Sequence, residues 1–119
     1  MKKILVVEDE DDLRLLYQQE LEQEGYDVVT VESGEEAIKV LEKESINLVV
    51  LDIRLTGMNG LEALEEMLLR NRNLKVIINT AYANYKDDFS SWLADAYLIK
   101  SSDLSELKET IQNLLEEKE

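Results

Sequence analysis

Residues 46–64 read Ile-Asn-Leu-Val-Val-Leu-Asp-Ile-Arg-Leu-Thr-Gly-Met-Asn-Gly-Leu-Glu-Ala-Leu. The stretch decides the fold because its period changes midway. Residues 46 to 52 form a nearly continuous apolar run, as expected of a strand covered on both faces in a parallel sheet. After a short connection, Leu61, Leu64 and Leu68 recur at three- and four-residue spacing, which marks one face of a helix.

The same alternation extends along the chain in both directions. Strands are expected at about 2 to 8, 27 to 31, 46 to 52, 74 to 80 and 96 to 99. Helical stripes fall between or after them: Leu13, Leu16, Tyr17 and Leu21; Ala37, Ile38 and Leu41; Leu104, Leu107, Ile111 and Leu114, all read as core-facing. Ser33 with Glu36, and Asp103 with Glu106, have the capping-box form or its Asp analogue. Gly25 is placed to end the first helix in a left-handed cap. A weaker helical stretch at about 83 to 93 is diluted by Asn84, Asp87, Asp88, Ser90 and Ser91, and is expected to be the most mobile helix. Five β-then-α repeats with short loops require right-handed crossovers over a parallel sheet. The expected class is a doubly wound α/β sandwich forming one domain over residues 1–119.

Composition narrows the function. The chain of 119 residues is 45% hydrophobic and 34% charged, and no apolar run approaches a membrane span. Its formal charge of −14 works against direct contact with nucleic acid or anionic lipid, since phosphate binding needs Lys and Arg. With no cysteine, and no signal-peptide core after Met1, the expected location is the cytoplasm.

Ligands of open parallel sheets bind beyond the carboxyl ends of the strands. Those ends carry Glu8 and Asp9, Asp52, Thr80 and Lys100. Unit charges about 4 Å apart repel by roughly 4 kcal/mol at an effective dielectric near 20, so converging carboxylates call for a cation. Mg2+ suits oxygen ligands and phosphate, whereas zinc would want His or Cys. A carboxylate beside such a cation can attack phosphorus, while an ammonium offsets the developing charge. Asp52 has that position. Taken singly, each residue has an ordinary reading: a solvated acidic loop for Glu8 to Asp12, a strand threonine for Thr80, a surface lysine for Lys100. Their joint placement favours the shared site.

Residues 2–9 (KKILVVED), 51–60 (LDIRLTGMNG), 79–81 (NTA) and 97–103 (YLIKSSD) resemble a bacterial response-regulator receiver domain of the stand-alone type. The resemblance implies a flavodoxin-like five-stranded sheet of order 2-1-3-4-5. It implies that Asp52 is the phosphoacceptor, and that Glu8, Asp9, Asp52 and the Arg54 backbone carbonyl hold Mg2+. Thr80 and Lys100 would grip the phosphoryl group, and Thr80 with Tyr97 would form the switch. Arg54 and Tyr82 match positions that tune phosphoryl loss, and their bulk predicts slow hydrolysis. The implied protein is a phosphorelay switch rather than a conventional enzyme. A sensor histidine kinase or phosphotransfer protein would phosphorylate it, with Leu13, Arg14, Tyr17 and Gln18 in the region that partner reads. The unnamed downstream protein would dock on the face built by the fourth helix, fifth strand and fifth helix, and the chain itself is expected to be a monomer or weak dimer.

Four departures stand out. Ser101 replaces a common proline, so a trans Lys100–Ser101 bond is expected. Thr56 replaces another proline, and Asn59 an aspartate. Leu93 stands where glycine often closes a helix, so an altered or frayed end is expected there. The stripe of Tyr85, Phe89 and Trp92 reads as core before interface. Three rivals remain: a haloacid-dehalogenase-type phosphatase, whose second aspartate is here Arg54; a flavin carrier, whose phosphate loop Glu8 to Asp12 would repel; and a phosphate-independent binding module of the same fold.

Overall fold

The computed structural model describes residues 1–54, 59–82 and 93–116. Among them, five strands and four helices follow one another: β1 (Lys3–Val7), α1 (Asp11–Gln23), β2 (Asp27–Val31), α2 (Gly34–Lys43), β3 (Leu48–Leu51), α3 (Gly60–Arg70), β4 (Lys75–Thr80), β5 (Ala96–Ile99) and α4 (Ser105–Leu115). All strand pairs are parallel, and the sheet order is β2-β1-β3-β4-β5, as expected. The weak stretch at 83 to 93 and the stripe of Tyr85, Phe89 and Trp92 lie outside the described residues, except for Leu93. So does Thr56.

Strand periodicity divides the core into two layers. Ile4, Val6, Leu48, Val50 and Ile77 face α1 and α4, where they meet Tyr17, Leu21, Leu107 and Ile111. Leu5, Val7, Val49, Leu51, Val76 and Ile78 point the other way and meet Ala37 of α2 and Ala63, Leu64 and Met67 of α3. Side chains alternate across a strand, so a sheet buried on both faces needs an unbroken apolar run. Each such side chain contributes about 1.5–3 kcal/mol by leaving water.

Local signals account for three helix ends. Gly25 has φ 97°, its N–H donates to the Glu22 carbonyl, and Tyr26 N–H donates to the Leu21 carbonyl. Those two bonds form a Schellman motif, the left-handed cap expected from the sequence. Ser33 Oγ accepts the Glu36 N–H at 3.2 Å, while the Glu36 carboxylate reaches the Glu32 N–H at 2.8 Å rather than that of Ser33. Asn59 caps α3 by accepting the Leu61 N–H at 2.7 Å, so the exchange for aspartate keeps an acceptor there.

Two expectations are corrected. Leu16 is 38% exposed, and α1 buries Tyr17 and Leu21 instead. The helix stripe is narrower than the spacing suggests. Asp103 is not the N-cap of α4, a position held by Leu104; its carboxylate accepts the Ser105 N–H at 2.9 Å from one residue further ahead. Leu93 avoids the left-handed region, as no non-glycine among the described residues has positive φ, which accords with the altered end expected there. The described residues contain no cis peptide bond, so Lys100–Ser101 is trans as expected.

Candidate functional site

The ladder runs one residue beyond several strands and thereby places their tips. Glu8 N–H donates to the Val31 carbonyl, Asp52 N–H to that of Val7, and Lys100 N–H to that of Thr80 at 2.7 Å. Main-chain bonds thus hold Asp52 beside the end of β1 and Lys100 beside the end of β4.

The side chains converge. Lys100 Nζ lies 2.8 Å from Glu8 Oε1 and 2.7 Å from Asp52 Oδ2. The second oxygen of each acid takes a main-chain donor: Glu8 Oε2 accepts the Glu10 N–H and Asp52 Oδ1 the Arg54 N–H, both at 3.1 Å. Glu8 is 2% exposed and Asp52 5%. Burial raises the Glu8 carboxyl above its ordinary range, although Lys100 opposes the shift. For Lys100, burial works against the charge, but hydrogen bonds to Asp52 and Glu8 outweigh it and hold the ammonium well above its ordinary range.

Asp9 completes the cluster, with one carboxylate oxygen each from Glu8, Asp9 and Asp52 lying within 4.8 Å of one another. Three carboxylates against one ammonium leave a negative excess built of hard oxygen donors. That donor set fits a small divalent cation such as Mg2+ and lacks the His or Cys ligands that zinc favours.

Thr80 is fully buried, and its Oγ1 accepts the Tyr82 N–H at 3.4 Å, a long and weak bond. Tyr97 is half-buried against the α2 and α3 layer, and its hydroxyl donates to the Tyr82 carbonyl. The Arg54 guanidinium lies 4.6 Å from the centroid of the Tyr82 ring, within cation–π range. Every site residue expected from the sequence is therefore described. Glu8, Asp9, Asp52 and Lys100 form the pocket, while Thr80, Tyr82, Arg54 and Tyr97 form a connected margin.

Three features escaped sequence reasoning. Gly60 donates its N–H to the Ile53 carbonyl at 2.9 Å, and an added Cβ would lie 2.4 Å from Ile53 Cα and 2.6 Å from the Asp52 carbonyl oxygen. Only glycine lets α3 back directly onto the chain that carries Asp52. A glycine just after the Asn59 cap was the available signal. Asn79 Nδ2 donates to the Tyr17 hydroxyl at 3.1 Å inside the α1 and α4 layer, a buried pairing that no local pattern announces. Arg14, read as part of a partner-facing region, turns its guanidinium onto the Glu8 carbonyl at 2.9 Å.

Comparison with known proteins agrees with this geometry. The family model described as the response regulator receiver domain matches residues 4–112. Sporulation initiation phosphotransferase F of Bacillus subtilis is 31% identical over 116 residues, spanning 96% of this chain and 94% of that protein. The response regulator TrrA of Thermotoga maritima, solved in complex with Mg2+ and BeF, is 46% identical with a TM-score of 0.94, covering 97% of this chain and all of TrrA. A second TrrA structure, in complex with the histidine kinase ThkA, superposes with a TM-score of 0.91 over 97% of this chain and 99% of TrrA, at the same 46% identity. With sheet order, strand-tip chemistry and whole-length similarity in agreement, the chain belongs to the response regulator receiver family, the phosphorylation-dependent switches of two-component signalling.

Proposed function

We propose that Asp52 is the phosphoacceptor of this receiver. An Asp52 carboxylate oxygen attacks the phosphorus of a phosphohistidine or small acyl phosphate, the P–N or P–O bond to the donor breaks, and the donor leaves with that electron pair. The observation that carries the reading is the placement of Asp52 Oδ2 at 2.7 Å from an ammonium that also holds Glu8. Lys100 is thereby positioned to follow the growing negative charge.

Glu8, Asp9 and Asp52, with the Arg54 carbonyl, would hold Mg2+; the ion supplies charge neutralisation for the transferring phosphoryl oxygens. Thr80 supplies a hydroxyl at the neighbouring tip, and Tyr97 reports its movement through their shared neighbour Tyr82. Arg54, whose N–H donates to Asp52, stacks on Tyr82, and the pair would restrict water there, so that the phosphoryl group would be lost slowly. Arg54→Ala should shorten its lifetime several-fold, and an unchanged lifetime would remove the stack from the account.

The proposed donor is a histidine kinase or phosphotransfer protein, by analogy with the TrrA–ThkA complex. The proposed setting is a cytoplasmic monomer or weak dimer acting on a downstream protein. No helix among the described residues is long and apolar enough to cross a membrane. The test is intact-mass measurement after incubation with Mg2+ and acetyl phosphate. Wild type should gain one phosphoryl group and Asp52→Asn none; no gain on wild type, or equal gain on the variant, refutes the proposal.

A further inference from the structure

Arg14 is the fourth residue of α1, and only 17% of its side chain is exposed. Its Nη2 pairs with Asp11 Oδ1 and lies 3.9 Å from Glu32 Oε2, while Nη1 donates to the main-chain carbonyl of Glu8 at 2.9 Å. Its own N–H donates to the Glu10 carbonyl at 2.9 Å. One side of the guanidinium thus pairs with carboxylates outside the cluster, while the other grips the main chain between the two residues whose side chains build it.

The peptide group is planar, so fixing the Glu8 carbonyl fixes the plane that joins the Cα atoms of Glu8 and Asp9. The preceding plane is already held, because the Glu8 N–H donates to Val31 of β2. The following N–H, that of Glu10, donates to Glu8 Oε2. Without Arg14, the carbonyl between them has lost its side-chain donor and the Glu8–Asp9 peptide can rotate. We infer that Arg14 is a positioning residue for the acidic pocket: it fixes the peptide plane from which the Glu8 and Asp9 side chains leave, and so preserves their cation-binding arrangement.

The inference rests on the reading of Glu8 and Asp9 as ligands of the divalent ion, and its sign separates it from simple electrostatics. Removing a positive charge from beside an acidic pocket would by itself tighten Mg2+ binding. Loss of a positioning contact weakens it, and outer contacts of this kind are typically worth about 10- to 100-fold in metal affinity.

The experiment is calorimetric titration of the unphosphorylated full chain with MgCl2, for wild type, Arg14→Met and Arg14→Lys, with thermal unfolding as the folding control. Arg14→Met should bind Mg2+ about tenfold or more weakly although its pocket is more negative. Arg14→Lys, which keeps the charge without the planar fork, should fall between the two. Unchanged or tighter binding by Arg14→Met overturns the inference. Should Arg14→Met fail to fold, wild-type affinity in Arg14→Lys overturns it equally. Wild type that binds no Mg2+ refutes the ligand assignment instead.

Discussion

The bodies of the central strands and their tips are almost equally buried and chemically opposite. Leu5, Val6, Val49 and Leu51 are fully or almost fully buried, and Glu8 and Asp52, directly beyond the ends of the same two strands, are 2% and 5% exposed. In the bodies, burial removes apolar surface from water and stabilises. At the tips it strips water from carboxylates, a cost that an ammonium and a few main-chain donors must offset. At Glu8 the offset is incomplete, since burial raises its carboxyl although Lys100 and the Glu10 N–H oppose the shift. Strand bodies therefore supply stability, while the tips hold charges that the fold alone has no reason to keep.

Substitutions in the two regions should move stability in opposite directions. Ile77 is fully buried between the sheet and the α1 and α4 layer. Ile77→Ala should cost about 2–5 kcal/mol in urea unfolding, yet the folded fraction should still take up a phosphoryl group. A loss below about 1 kcal/mol would mean that the strand bodies are not where stability resides.

Gly60 joins the two regions, because α3 leans through it on the backbone of Asp52 and Ile53. Gly60→Ala must displace main chain rather than a flexible side-chain end. It should cost about 1–3 kcal/mol and also slow phosphoryl uptake by shifting Asp52. Destabilisation with unchanged uptake rate would separate the packing role from the positioning role.

The smallest effect is expected at a tip. In the folded protein Glu8 holds its proton more tightly than in the unfolded chain, whose ordinary value is near 4.5. The unfolded chain releases that proton first as pH rises. Stability associated with Glu8 is thus fully present below about 4.5 and is lost as pH climbs through the raised folded value. Glu8→Gln should flatten that decline and leave stability at neutral pH equal to wild type or up to about 1 kcal/mol higher. A steeper decline in the variant would show that Lys100 more than compensates for the burial of Glu8.

Strand positions were legible because doubly covered strands need unbroken apolar runs, whereas the sheet order came from the resemblance to the receiver family and is the order observed. Each such run ended at a polar residue that marked a tip. The rule that ligands gather at carboxyl ends then brings Glu8, Asp9, Asp52 and Lys100 together from the sequence. What periodicity could not supply was side-chain direction. By spacing, Leu16 falls into one helical stripe with Tyr17 and Leu21 yet remains exposed, since α1 turns only the Tyr17 and Leu21 side of that stripe into the core. Arg14 has the look of a surface residue one turn into a helix, and its contact with the Glu8 carbonyl depends on how the β1–α1 connection folds back. The stack of Arg54 on Tyr82 joins two loops distant in sequence, and no spacing rule connects them.

The central claim is that one particular tip carboxylate receives the phosphoryl group. Borohydride reduces an aspartyl phosphate to homoserine, so phosphorylated protein can be trapped, digested and mapped by mass spectrometry. Homoserine is expected at position 52 alone. Reduction at position 8 or 9, or none in protein whose intact mass shows a phosphoryl group, would contradict it.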